Sequence, residues 1–169
     1  MSQSRVVAID EIRTQLLRLE GVWKGQGRGS FPTIEGFRYR EEMTLTSRNP
    51  DEPVLHYHQQ TWIISEGEDD GSDSHWESGF ILAREDGLIE ILNAQESRRV
   101  EVLVGPMYLD DEGSGVIEAE SVQHAHDERM ISTQRRIRFD ERSLSYRTAM
   151  ATTRVPRVTA HLEAELQRT

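Results

Sequence analysis

Cysteine is absent from all 169 residues of the chain. Disulfides, thiolate metal sites and cysteine nucleophiles are thereby excluded together, and a reducing compartment, the cytoplasm, is the expected location. Long apolar runs are missing too: none approaches the ~20 residues that cross a bilayer. The opening MSQSRVVAIDEIR has no apolar core with a small-residue cleavage site, so no secretory leader is expected. Cations are outnumbered, 20 Lys and Arg against 30 Asp and Glu, for a net charge of −10. Neutralising phosphates takes clustered cations, so neither a nucleic acid nor an anionic membrane is an expected partner. The acid concentrates in residues 66–74 and 110–113, while 129–157 is locally basic and reads as solvated strand faces.

Helical periodicity is nearly absent as well. One segment, 8–20, sets Ile9, Ile12, Leu16 and Leu19 on one face, with Asp10 and Glu11 at the end where carboxylates suit the helix dipole. From Gly21 onward the chain reads as strands and turns. Ile89 and Ile91 alternate with Glu90, Val100, Val102 and Val104 with Glu101 and Leu103, and Leu144, Tyr146, Thr148 and Met150 with Ser145 and Arg147. About ten such strands follow at close spacing without helical crossovers, which excludes a parallel α/β sheet. The expected fold is all-β: a ten-stranded antiparallel up-and-down β-barrel with a short N-terminal helix, as one domain over 1–169.

Gly25, Gly27 and Gly29 suggest a phosphate cradle, but a dinucleotide fingerprint needs a helix after its glycines. Here Ser30, Phe31 and Pro32 lead into another strand, so the glycines mark tight curvature or a close approach. His56/His58 and His124/His126 are His-X-His pairs able to offer two nitrogens to one metal, yet nothing specifies a third ligand. The plainer reading is half-exposed strand histidines. The acidic loop at 66–74 lacks the EF-hand pattern and reads as a hairpin tip. Ser78 precedes Gly79 without a nucleophile elbow around it.

His161 poses a question of facing. Val158, Ala160, Leu162, Ala164 and Leu166 share one face of the last strand, which puts His161 on the other. Either the apolar set packs outward beneath the helix, or a bulge changes the facing.

Residues 21–27, GVWKGQG, match the G-x-W-x-G-x-G motif of the nitrobindin family, the fatty-acid-binding-protein-like haem proteins, at Gly21, Trp23, Gly25 and Gly27. The resemblance continues through GSFPTIEGFRYREEMTL, HWESGFIL and LNAQ to the terminal HLEAELQR, nearly the whole chain in order. It implies a lipocalin-like barrel with a cleft for one haem b, His161 as axial ligand to the iron, and Thr33 as a haem contact. It also implies nitric oxide binding and isomerisation of peroxynitrite to nitrate at ferric iron. Met150 is expected to line the pocket, since methionine packs adaptably against flat rings. The alternative is a non-catalytic carrier of a fatty acid or other hydrophobic ligand, and a His-X-His metal barrel is a third reading. A homodimer is the default assembly.

Overall fold

Inward-apolar, outward-polar alternation organises the chain after its single helix. The computed structural model describes residues 5–169; residues 1–4, which open the stretch read for a leader, and the side chains of Arg5, Val6 and Asp10 lie outside the described residues. The elements are β1 (Arg5–Val6), α1 (Ile9–Leu17), β2 (Gly21–Phe31), β3 (Ile34–Ser47), β4 (Val54–Ile64), β5 (Asp73–Ala83) and β6 (Ile89–Gln95). They continue with β7 (Val100–Gly105), β8 (Met107–Leu109), β9 (Gly115–Ala125), β10 (Met130–Phe139), β11 (Ser143–Thr152) and β12 (Thr159–Arg168). Strands β2 to β7 pair in order, β7 pairs with β9, and β9 to β12 lead back to β2. That closes a ring of ten antiparallel strands, the barrel expected from the strand count. Pro106 separates β8 from β7; β8 runs on beside β9 and carries β1 along its outer side.

The helix is shorter than the periodicity suggests, and one residue of its stripe faces the other way. Ile12, Leu16 and Leu19 are fully buried, whereas Ile9 is 54% exposed. Leu19 lies beyond the last helical residue, and its carbonyl accepts the Trp23 indole N–H at 2.8 Å. The Arg168 guanidinium covers the Trp23 ring at 4.2 Å, so the motif tryptophan anchors the helix to both β2 and β12. Together with Leu45, Leu55, Ile81, Leu103, Ile137, Leu144 and Leu166, these side chains fill the helix end of the barrel. The turns at 32–33, 65–72, 96–99, 126–129 and 153–158 gather at the opposite end.

The motif glycines lie on the inner face of β2, where neighbouring chain leaves no room for a Cβ. A Cβ on Gly25 would sit 2.0 Å from the Glu165 carbonyl oxygen and 2.8 Å from Leu166 Cα. One on Gly27 would lie 2.3 Å from the Tyr39 ring. The strand therefore curves sharply while Tyr39 and Phe37 lie across it, as its glycine spacing suggests. Gly25→Ala is expected to cost about 2–3 kcal/mol, or roughly 5–10 °C in Tm, because backbone cannot move aside as a flexible side chain would. Gly36→Ala is the control, since its Cβ would meet nothing closer than 3.9 Å. Thermal unfolding of the two variants checks the contrast; equal Tm values would refute the packing argument.

Candidate functional site: a cavity between His161 and a polar wall

The facing of His161 is settled by a bulge. In the β11–β12 ladder Thr148 pairs with Leu162 and Ala149 with Ala160, so His161 has no residue opposite it. Beside it, the β2–β3 ladder skips from Gly29 to Phe31 and leaves Ser30 out of register. The two irregularities meet: His161 Nδ1–H donates to the Ser30 carbonyl at 3.2 Å. Since a carbonyl can only accept, Nδ1 carries the proton and Nε2 keeps its lone pair. Burial lowers the His161 imidazole below its usual range, against the Ser30 carbonyl, which raises it; Arg99 and His75 lower it further. The ring is thus neutral, in one tautomer, and held edge-on to Phe31 at 5.7 Å between centroids. That is the state in which an imidazole binds a metal.

His161 lines a cavity of about 420 Å³ at the end of the barrel away from the helix, within the ~300–1,000 Å³ of small-molecule sites. Its two sides differ in character. Around β12 the wall is largely apolar, with Phe31, Met150, Ala149 and Leu162, and Met130 packs with Phe31 and Met150. Thr33 stands at its rim in the β2–β3 turn. Across the ring, β5 to β7 and the turn between β6 and β7 present His75, Gln95, Ser97, Arg99 and Glu101. Several polar atoms of this region are buried without a hydrogen bond: Arg99 Nε, Glu101 Oε1 and Thr133 Oγ1. Arg99 Nε and Glu101 Oε1 stand 3.3 Å apart, an ion pair by distance that lacks hydrogen-bond geometry.

The floor of the cavity is charged, with Glu77 and Arg135 among its lining residues. Glu77 is 3% exposed and accepts from Arg135 at 2.8 Å, from the Tyr57 hydroxyl at 3.1 Å and from His75 Nε2–H at 3.0 Å. One layer further down, Glu41 accepts from Tyr146 at 2.6 Å and Gln59 at 2.9 Å, and Tyr39 bonds Tyr146 at 2.9 Å. Burial pushes the Glu41 carboxyl up to about 8; those hydrogen bonds oppose the shift and the Glu77 charge adds to it. For Glu77 burial also raises the carboxyl, but Arg135 and His75 outweigh it and hold it well below its usual range.

The structure brings His161, Met150 and Thr33 to one cavity and leaves the other histidine pairs outside it. His56 bonds Ser78 Oγ at 2.9 Å and packs on Phe80, and His58 packs on Trp76. His124 near the end of β9 and His126 just beyond it are exposed. Among the described residues no group of three His, Asp or Glu could hold a metal ion. Residues 66–74 form the β4–β5 tip and the start of β5, and the basic stretch keeps Arg136, Arg138 and Arg147 paired with carboxylates. The sequence reading passed over His75, Glu77, Arg99, Glu101 and Arg135. Their signal was parity: His75 and Glu77 share their face with Ile81, Glu101 with Leu103, and Arg135 with Ile137.

This cavity suits a haem: one neutral imidazole with a free Nε2, an apolar wall with two methionines, and polar atoms opposite that await a partner. Comparison with known proteins agrees. Residues 13–168 match the family model described as "THAP4-like, heme-binding beta-barrel domain". "Peroxynitrite isomerase Rv2717c" of Arabidopsis thaliana is 38% identical over 150 residues, 89% of this chain and 84% of that one. "Peroxynitrite isomerase 2" of Mycobacterium ulcerans is 34% identical over 158 residues, 90% of this chain and 92% of that one. The crystal structure of Rv2717c from M. tuberculosis superposes with a TM-score of 0.78 at 28% identity, covering 94% of this chain and 97% of that one. An S-type phycobiliprotein lyase from Guillardia theta, with a TM-score of 0.58 at 11% identity, shares the fold alone. With the match running from the helix to the end of β12, the chain belongs to the THAP4-like, haem-binding β-barrel domain family, the nitrobindins that its glycine and terminal histidine motifs resemble.

Proposed function

We propose that the protein holds one haem b in the cavity with His161 as axial ligand to ferric iron, binds nitric oxide, and isomerises peroxynitrite to nitrate in the cytoplasm. The observation that carries this is the bulged His161, whose Nδ1–H is committed to the Ser30 carbonyl at 3.2 Å. The family match to haem-binding barrels and the relatives named peroxynitrite isomerase support it. His161 supplies Nε2, Ser30 fixes the tautomer, and Phe31, Met130 and Met150 offer the apolar surface a porphyrin needs. Thr33 stands where the cavity meets solvent. When bound, haem would supply an iron centre able to take a small ligand.

The carrier reading finds less support. A fatty-acid tail needs a continuous apolar lumen, and here Glu77 and Arg135 line the cavity floor and Glu41 is buried in the interior. The space among the side chains below it amounts to about 40 Å³.

Titration of the apoprotein with ferric haem is expected to give a Soret band saturating at one equivalent. Stopped-flow mixing should then show peroxynitrite decaying faster with the loaded protein than with apoprotein, with nitrate as product. Decay no faster than with apoprotein would overturn the activity, and an absent Soret band would overturn the haem site.

A further inference from the structure

The bulge at His161 is held from two directions. The Ser30 carbonyl takes the ring Nδ1–H at 3.2 Å. On the chain side the next residue is fixed as well, since the Leu162 N–H donates to Thr148 Oγ1 at 3.2 Å. That bond lies at the register shift itself, where Thr148 pairs with Leu162 and Ala149 with Ala160. A bulge disrupts the ladder locally, and a threonine hydroxyl is well suited to take a backbone N–H there.

The bulge matters because of what an unbroken strand would do. Leu162 packs against the core, and Ala164 and Leu166 are buried in it. With strict alternation after Leu162, His161 would face out of the barrel and Ala160 would face in. The extra residue reverses this: His161 lines the cavity, and Ala160 is exposed.

Packing does not account for the threonine. Tyr146, Thr148 and Met150 alternate along β11 on its inner face, and Tyr146 and Met150 are both buried. A valine would fill the middle position with the same shape. The hydroxyl is what threonine adds, and its bond goes to the residue after His161. Thr148 also lines the cavity beside His161 and Leu162, so hydroxyl and ring belong to one wall. Thr133 gives the contrast, because its hydroxyl lines the same cavity and is buried without a partner.

We propose that Thr148 is a positioning residue for the haem site: its hydroxyl pins Leu162, holds the bulge and so keeps His161 aimed into the cavity. This rests on the reading that haem sits on His161. Thr148 acts through the backbone of β12 and touches neither the iron nor its ligand.

Thr148→Val and Thr148→Ala remove the hydroxyl with different shapes, and Thr148→Ser keeps it. Long-range proton–nitrogen NMR on each apoprotein reads which His161 nitrogen carries the proton in the neutral ring. Comparison with His161→Ala identifies the signals. Parent and Thr148→Ser should show Nδ1–H, as the bond to Ser30 requires. Thr148→Val and Thr148→Ala should lose that single tautomer, because the ring leaves the Ser30 carbonyl. Their haem affinity, from Soret titrations, should fall about 10-fold, while Thr148→Ser stays within about threefold of the parent. Thr133→Val, which removes a hydroxyl that bonds nothing, should leave the tautomer as it is. Nδ1–H retained in both hydroxyl-free variants overturns the proposal, whatever their haem affinity. An equal loss in Thr148→Ser also overturns it, since the methyl would then be the group that matters. So does a changed tautomer in Thr133→Val, which would report a general loosening of the cavity. A parent that takes up no haem defeats the haem reading instead, while the apoprotein tautomers still decide whether Thr148 holds the bulge.

Discussion

His161→Ala is expected to abolish stable haem uptake while leaving the barrel folded. The residue sits at a bulge, outside the paired register of β11 and β12, and its one hydrogen bond goes to the Ser30 carbonyl. No apolar core rests on it: Leu162, Ala164 and Leu166 continue to pack inward or against the core without it. Removing the ring therefore costs the fold little, and Tm should move by no more than about 2–3 °C. Haem affinity should fall by about 100-fold or more if His161 is the iron ligand proposed above, since losing a second-layer partner alone costs ~10- to 100-fold. The truncation also opens space for a replacement. Added imidazole should restore the Soret band of the variant, a rescue expected only if the missing group is the axial ligand. Parent-like haem affinity in His161→Ala would show that the iron is held elsewhere in the cavity.

How far the sequence discloses this site depends on what kind of signal each residue leaves. Barrel, strand number and helix follow from hydrophobic period, which is a local property and survives without neighbours. Gly25 and Gly27 are legible as curvature because no helix follows them. His161 is singled out by the motif resemblance and Met150 by methionine's fit to flat rings, but alternation alone assigns His161 and Leu162 to opposite faces without saying which faces in. A bulge breaks period two, and only the partner strands show that Ser30 and His161 leave register at the same place. Ile9 illustrates a different limit: it fits the helical stripe of Ile12, Leu16 and Leu19, but nothing in the fold covers it, and it stays 54% exposed. The inward charges are the least legible. Arg135 lies 58 residues from Glu77 in the chain, so each reads alone as a solvated charge, and only barrel closure turns them into a pair. In β7 the valines face out while Glu101 and Leu103 face in, an arrangement that composition argues against and the cavity requires.

Breaking the Glu77–Arg135 pair should give the largest loss of stability. Glu77 is 3% exposed and Arg135 has a side chain only 14% exposed, so removing either charge strands the other in the interior. Glu77→Leu is expected to cost about 3–5 kcal/mol, since a lone buried guanidinium keeps its desolvation penalty without its partner. Replacing both, Glu77→Leu with Arg135→Met, should recover most of that loss, because well-packed apolar side chains often match a buried ion pair in stability. The pair also sets the response to acid. Its folded-state carboxyl lies below the unfolded value near 4.5, so its stabilisation is complete above that value and is lost as pH falls below it. Glu41 works in the opposite sense: its folded-state value of about 8 lies above the unfolded one, and it withdraws stability as pH rises from near 4.5 to about 8. Denaturant titrations of the parent across pH should therefore show a maximum on the acid side of neutrality, with losses toward both lower and higher pH. In the double variant the loss below pH 4.5 should be reduced while the decline toward pH 8 persists, because Glu41 is untouched. A double variant as unstable as Glu77→Leu, or one with the parent's full acid loss, would show that the barrel depends on these side chains for something other than their mutual charge.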